Sequence, residues 1–138
     1  MVDSIAVGSL DSPFGVVWTA CSERGVCKLV FPEEGAKAAL ERWLARDLHG
    51  VELTSVGASL AQTFRELREY FDGMRRDFTV PLDLRGSAFQ QRVWQALARI
   101  PYGQTVSYGS IARQLNQPQA ARAVGAACGV NPVPIIVP

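Results

Sequence analysis

In the first half of the chain the hydrophobic pattern changes period once, and that change puts strands first and helices after in that half. Residues 4–31 hold Ile5 and Val7, then Val16-Val17-Trp18, then Val26-Cys27-Lys28-Leu29-Val30-Phe31. Asp11-Ser12-Pro13-Phe14-Gly15 and Ser22-Glu23-Arg24-Gly25 separate these β-branched and aromatic runs with turn chemistry, so strands joined by tight turns are expected. From Ala36 onward the spacing is helical. Leu40, Leu44 and Leu48 recur every four residues beside Trp43, predicting a helix over residues 36–48 that stops at His49-Gly50. A second helix is expected over about residues 60–71, with Leu60, Phe64, Leu67 and Phe71 on one face, Ser59 and Gln62 as a capping box and Gly73 as its end.

The stretch from Asp77 to Gly86 is extended and punctuated by Pro81 and Gly86, and it divides an α+β region, residues 1–80, from a second domain, residues 81–138. Ser87-Ala88-Phe89-Gln90 forms a second capping box. It opens a helix with Phe89, Val93, Leu97 and Ile100 as the buried stripe and Arg92 and Arg99 outward, ended by Pro101-Tyr102-Gly103. Two short helices follow, over about residues 108–115 and 119–128, with Pro118 placed to start the second. The tail, Asn131-Pro132-Val133-Pro134-Ile135-Ile136-Val137-Pro138, reads as a Pro-punctuated apolar strand that a folded domain has to cover or pair.

Composition excludes several classes. A chain of 138 residues, 48% hydrophobic and 20% charged, is one ordinary domain or two small units, not a disordered tail. No uncharged apolar run reaches the roughly 18 residues of a membrane span, and Met1-Val2-Asp3 lacks the basic start of a signal peptide, so an intracellular protein is expected. Cys21, Cys27 and Cys128 are an odd number without a dense framework, which implies free thiols in a reducing compartment. Cys21 and Cys27 supply two zinc ligands, not four, so they are expected as core or half-exposed thiols with no metal. The one histidine, His49, is expected as a surface cap at a helix end. Trp18, Trp43 and Trp94 lie on apolar stripes and are expected in the core.

Charge is divided along the chain. Residues 1–84 hold nine Lys and Arg against thirteen Asp and Glu, a net of −4. Residues 85–138 hold Arg85, Arg92, Arg99, Arg113 and Arg122 and no acid, a net of +5. Such a split fits a polyanion meeting the second half, or five arginines that keep an apolar segment soluble. The helix pair around Asn116-Gln117-Pro118 fits a helix-turn-helix or an αα-hairpin that only packs. Its second helix, Ala120-Ala121-Arg122-Ala123-Val124-Gly125-Ala126-Ala127, is small side chains around one arginine, which lets its backbone approach a groove closely. Few of its side chains are able to read base edges, which argues against a sequence-specific transcription regulator.

Five blocks then carry a resemblance. Phe89-Gln90-Gln91-Arg92-Val93-Trp94-Gln95-Ala96-Leu97, Pro101-Tyr102-Gly103, Ser107-Tyr108-Gly109, Ala121-Arg122-Ala123-Val124-Gly125 and the tail from Asn131 to Pro138 together resemble the O6-alkylguanine-DNA alkyltransferases, or methylated-DNA–protein-cysteine methyltransferases. Leu10-Asp11-Ser12-Pro13-Phe14-Gly15 and Pro81-Leu82-Asp83-Leu84-Arg85-Gly86 are similar to the bacterial members. The resemblance implies an RNase H-like N-terminal domain and a winged-helix C-terminal domain. It implies single-turnover transfer of an alkyl group from guanine O6, and from thymine O4, to a protein cysteine after nucleotide flipping. The implied partner is double-stranded DNA, met by a cytoplasmic monomer without a cofactor.

By the same resemblance, Ala121, Arg122, Ala123 and Gly125 of the second helix meet the minor groove, with Arg122 filling the space of the extruded nucleotide. Tyr108 crowds the target phosphate and donates a hydrogen bond to guanine. Asn131 braces the turn after the helix, Val133 and Pro134 border the pocket, and Cys128 stands where the family usually has Asn or Met. The family's Pro-Cys-His-Arg motif puts the nucleophile directly after Pro138, so none of the 138 residues is expected to be catalytic. Cysteine at the following position fits transfer. Tryptophan or alanine there fits the non-catalytic alkyltransferase-like lesion binders, which commonly lack the N-terminal domain.

Overall fold

The computed structural model describes residues 4–31, 35–47 and 52–138, and contacts divide the chain after Asp83 into two units. In the first, β1 (Ser4–Ser12), β2 (Gly15–Cys21) and β3 (Val26–Val30) form the expected antiparallel meander. A fourth strand, β4 (Glu52–Thr54), which the sequence reading missed, lies parallel to β1 and gives the order β3-β2-β1-β4. Three exposed residues, Glu52-Leu53-Thr54, are too short a run to show a period, so only tertiary pairing reveals this strand.

Helix α1 (Ala36–Asp47) packs Leu40, Trp43 and Leu44 with Ile5, Ala20, Cys27 and Val30. Leu48 and the stop expected at His49-Gly50 lie outside the described residues, as does the cap assigned to His49. Helix α2 (Ala58–Phe71) meets β1 at Gly8, where an added Cβ would lie 3.0 Å from the Phe64 ring, and meets β2 through Thr63, whose Oγ1 lies 3.7 Å from Cys21 Sγ. Ile5 and Gly8, and likewise Ala20 and Cys21, point to opposite faces of the pleat, so the sheet is covered on both. Hence the buried residues run in pairs and triplets, Ile5-Ala6 and Thr19-Ala20-Cys21, rather than alternating. Trp43 is core as expected, and Trp18 is half-buried against the same cluster.

The capping box expected at Ser59 and Gln62 does not form. The helix starts earlier, with Gly57 as its uncapped N-cap, so Ser59 is already inside it. Gln62 instead donates to Glu66, a fully buried carboxylate that the sequence reading passed over. Glu66 also accepts from the backbone N–H of Thr79 at 2.7 Å and of Val80 at 3.2 Å and from Thr79 Oγ1 at 2.8 Å, with Arg75 Nη1 at 3.8 Å. Residues 81–83, assigned to the second domain from sequence, are tied to β3: Val26 donates to the Pro81 carbonyl, Asp83 donates back to the Val26 carbonyl, and Ser22 Oγ donates to Asp83 Oδ2 at 2.5 Å.

The second unit holds α3 (Ala88–Ala98), α4 (Tyr108–Gln114) and α5 (Ala121–Gly129). The Ser87–Gln90 capping box forms in full. Val93 and Leu97 are buried with Trp94 and Ala96, whereas Phe89 and Ile100, at the ends of the expected stripe, are half-buried. Pro118 is not the first residue of α5 but belongs to the turn before it, where Ala120 N–H bonds the Gln117 carbonyl. The tail is corrected too. Residues 132–136 form bends and turns, Ile135 has φ +75°, and Val137 N–H bonds the Val133 carbonyl. Pro132 and Pro134 lack the N–H groups a strand ladder needs, and the tail coils so that Val133, Ile136 and Val137 are buried.

Candidate nucleic-acid interface

Residues of α4, α5 and the following turn make up the candidate site. Ser107 caps α4 by accepting the Ser110 N–H at 3.0 Å, which fixes Tyr108 as the first helical residue with 53% of its surface exposed. Its ring lies against Gly125 of α5, where a Cβ would stand 2.9 Å from Tyr108 Cε2. Any larger residue at 125 would displace the ring, so glycine is needed for close approach rather than for backbone freedom. Sequence reading assigned Gly125 to the groove; the structure gives it the added role of seat for Tyr108, a contact across two helices that no local pattern announces.

Arg122 lies in the first turn of α5 and is exposed, as is Ala123, while Ala121 is half-buried and Val124 and Ala127 face inward. Among the described residues no hydrogen bond or ion pair engages Arg122. Its charge adds to the positive end of the helix dipole, and the small side chains around it leave the backbone open. Arg92, Arg99 and Arg113 are also exposed, and Arg92 Nη2 donates to the Leu115 carbonyl at the end of α4. No acid stands in residues 85–138 to offset them.

Beyond α5, Asn131 makes two bonds that hold the tail. Its Nδ2 donates to the Val137 carbonyl at 2.8 Å and its Oδ1 accepts the Val133 N–H at 2.9 Å. Val133 is fully buried and Pro134 half-buried. Trp94, expected only as core, donates its indole Nε1–H to the Ala127 carbonyl at 2.9 Å. A tryptophan on a buried stripe signals from sequence that its N–H needs a partner, but not which one.

None of the three cysteines has nucleophile surroundings. Cys21 and Cys27 are buried in the first unit, and burial pushes the Cys21 thiol up to about 11 despite the Thr63 hydrogen bond. Burial also raises the half-buried Cys128, and no histidine occurs in residues 85–138 to take its proton. A cavity of about 330 Å³ lies in the first unit between β1 and the start of α2, lined by Cys21, Ser22, Thr54 and Ser59 among others; it belongs to that domain and not to this interface. Among the described residues no cluster of three or more His, Cys, Asp or Glu fits a metal, and no helix is long and apolar enough to cross a membrane.

Comparison with known proteins agrees with this division. Residues 5–84 match the ribonuclease-like domain of 6-O-methylguanine DNA methyltransferase and residues 88–138 match its DNA-binding domain. A methylated-DNA–protein-cysteine methyltransferase of Mycolicibacterium paratuberculosis is 40% identical over 130 residues, which is 94% of this chain and 73% of that protein. The inducible enzyme of the same name from Bacillus subtilis is 46% identical over 99 residues, 72% of this chain and 55% of the relative. The crystal structure of Mycobacterium tuberculosis OGT in complex with DNA superposes with a TM-score of 0.75 at 38% identity, covering 98% of this chain and 74% of that one. With a ribonuclease-like α+β unit followed by a helix-turn-helix unit, and with relatives of this identity along nearly its whole length, the chain belongs to the methylated-DNA–protein-cysteine methyltransferase family.

Proposed function

We propose that the protein repairs DNA directly, moving an alkyl group from O6 of guanine in a duplex to a cysteine of the polypeptide, once per molecule. The observation that carries this reading is the seating of an exposed Tyr108 on Gly125, on the same small-residue helix that presents Arg122 from its first turn. Guanine O6 in a stacked pair is out of reach of a thiolate, so the nucleotide has to be extruded. Ala121, Ala123 and Gly125 let α5 approach the minor groove, Arg122 enters the stack, and Tyr108 crowds the phosphate that must rotate. Asn131 holds the turn that leads toward the pocket, with Cys128, Val133 and Pro134 as its support.

The acceptor sulfur follows Pro138 in the family pattern; Cys21, Cys27 and Cys128 are poor candidates for the reasons given. In the transfer step the thiol gives up its proton, the thiolate attacks the alkyl carbon, the carbon–O6 bond breaks with its electron pair going to guanine, guanine N1 takes up one proton in place of the one the thiol released, and the cysteine keeps the alkyl group as a thioether. The protein acts as a cytoplasmic monomer on duplex DNA and needs no cofactor for a displacement between two bound groups.

The test is intact-protein mass spectrometry of the full polypeptide before and after an O6-methylguanine duplex, with peptide mapping. A gain of one methyl group on the cysteine after Pro138 is expected. Tight lesion binding without a methyl gain would replace this reading with that of a lesion-binding protein, and no preference for modified duplex would remove both.

A further inference from the structure

Gly86 and Trp94, neither of them in α4 or α5, form a contact chain that ends on the last turn of α5. Trp94 is 2% exposed, and its indole Nε1–H is donated at 2.9 Å to the Ala127 carbonyl. That carbonyl stands in the last turn of α5, where acceptors lose their helical partners; its other donor, Val130 N–H, sits at a long 3.3 Å. Cys128 is the next residue, and Asn131 follows with an N–H bonded to the Cys128 carbonyl at 3.3 Å. Beside these two long backbone bonds, the indole gives the same terminus a contact at 2.9 Å. Trp94 is itself fixed from the other side. Gly86 crosses the far edge of the indole so closely that a Cβ there would lie 2.6 Å from Cη2 and 2.7 Å from Cζ3, and also 2.7 Å from the Gln90 Oε1 that caps α3, while Gln91 Nε2 holds the Gly86 carbonyl at 3.1 Å.

We propose that Gly86 and Trp94 are a positioning pair for alkyl transfer: the missing side chain at 86 seats the indole, and its N–H sets the height of the α5 end that carries Cys128 and Asn131. The claim rests on the repair reading above. Neither residue lies in α4 or α5, so the pair governs the transfer step and not the encounter with the duplex. Arg122 stands at the opposite end of α5, in its first turn. Loss of the bond therefore separates the two ends of one helix by function.

The experiment uses the full polypeptide with Trp94→Phe, which keeps an aromatic ring and removes the N–H, and Gly86→Ala, which pushes the ring away. Single-turnover methyl transfer is followed against the concentration of O6-methylguanine duplex. Both variants are expected to lower the limiting rate about tenfold while leaving half-saturation within about twofold, the pattern of an interaction used only in the transition state. Val93→Ala, a cavity in the same helix that spares the indole bond, is expected to lower the melting temperature with the limiting rate unchanged.

A second readout does not depend on repair at all. Modification of Cys128 by a maleimide, mapped by peptide mass, is expected to quicken in both variants and not in Val93→Ala, and the Trp94 indole proton of the parent is expected to resist solvent exchange. An unchanged limiting rate, a fall that Val93→Ala reproduces, or a fast-exchanging indole proton overturns the pair. If the parent protein transfers no methyl group, the repair reading falls while Cys128 modification still decides whether the pair positions the end of α5.

Discussion

Glu66→Ala exposes what holds Thr79 and Val80 of the first unit to α2. The carboxylate is fully buried and accepts four hydrogen bonds, two of them from the backbone N–H groups of Thr79 and Val80. Alanine leaves the buried Val80 N–H without this acceptor, at about 1–3 kcal/mol, while the N–H of the exposed Thr79 turns to water, so a loss of roughly 2 kcal/mol is expected. For a unit of this size each kcal/mol moves the melting temperature by about 4–8 °C, which puts the drop at about 8–16 °C. Thermal and urea unfolding followed by circular dichroism measure it. A change below about 1 kcal/mol would mean that water replaces the carboxylate freely, and the clamp would be no clamp.

The same group predicts a pH dependence whose sign follows from its environment. Burial pushes the Glu66 carboxyl up, but the hydrogen bonds from Gln62, Thr79 and Val80 together outweigh it and hold the pKa below the ordinary value of 4.5. A depressed folded-state pKa gives stability that is fully present above 4.5 and is lost as pH falls through the lower folded value. The parent is therefore expected to lose stability as acid is added below that point, and Glu66→Gln to show a shallower acid limb; parallel curves for the two would contradict the assignment.

Three further substitutions separate function from fold. Arg122→Ala should slow methyl transfer about 10- to 100-fold, the worth of one inserted cationic side chain, with an unchanged melting temperature, since Arg122 is exposed; equal rates would remove it from the site. Gly125→Ala should leave stability within about 1 kcal/mol, because alanine favours helix while the exposed Tyr108 ring swings out, yet impair transfer; intact transfer would show that the seat is unused. Asn131→Ala removes both bonds that hold the tail and should cost about 1–3 kcal/mol in urea unfolding, with no loss meaning that the Val137 carbonyl and Val133 N–H find other partners.

The sequence by itself determined the elements whose chemistry is local. The three strands, the helical stripe of Leu40 and Leu44, the Ser87–Gln90 cap and the exposed Tyr108 at the head of α4 all stand where period and turn residues put them, because each depends on neighbours a few positions away. The roles proposed for Arg122 and Asn131 come from the resemblance, since composition alone could not suggest them. Only the tertiary structure decided the rest. Strand β4 exists because β1 offers an edge, the Ser59 cap yields to a helix that begins earlier, and the tail coils inward because two prolines cannot pair in a ladder. Glu66, Gly125 and Trp94 acquire their work from Thr79, Tyr108 and Ala127, which lie 13, 17 and 33 positions away. A buried donor or acceptor must find a partner, but the one-dimensional pattern records only the need; the partner is fixed when the chain closes on itself.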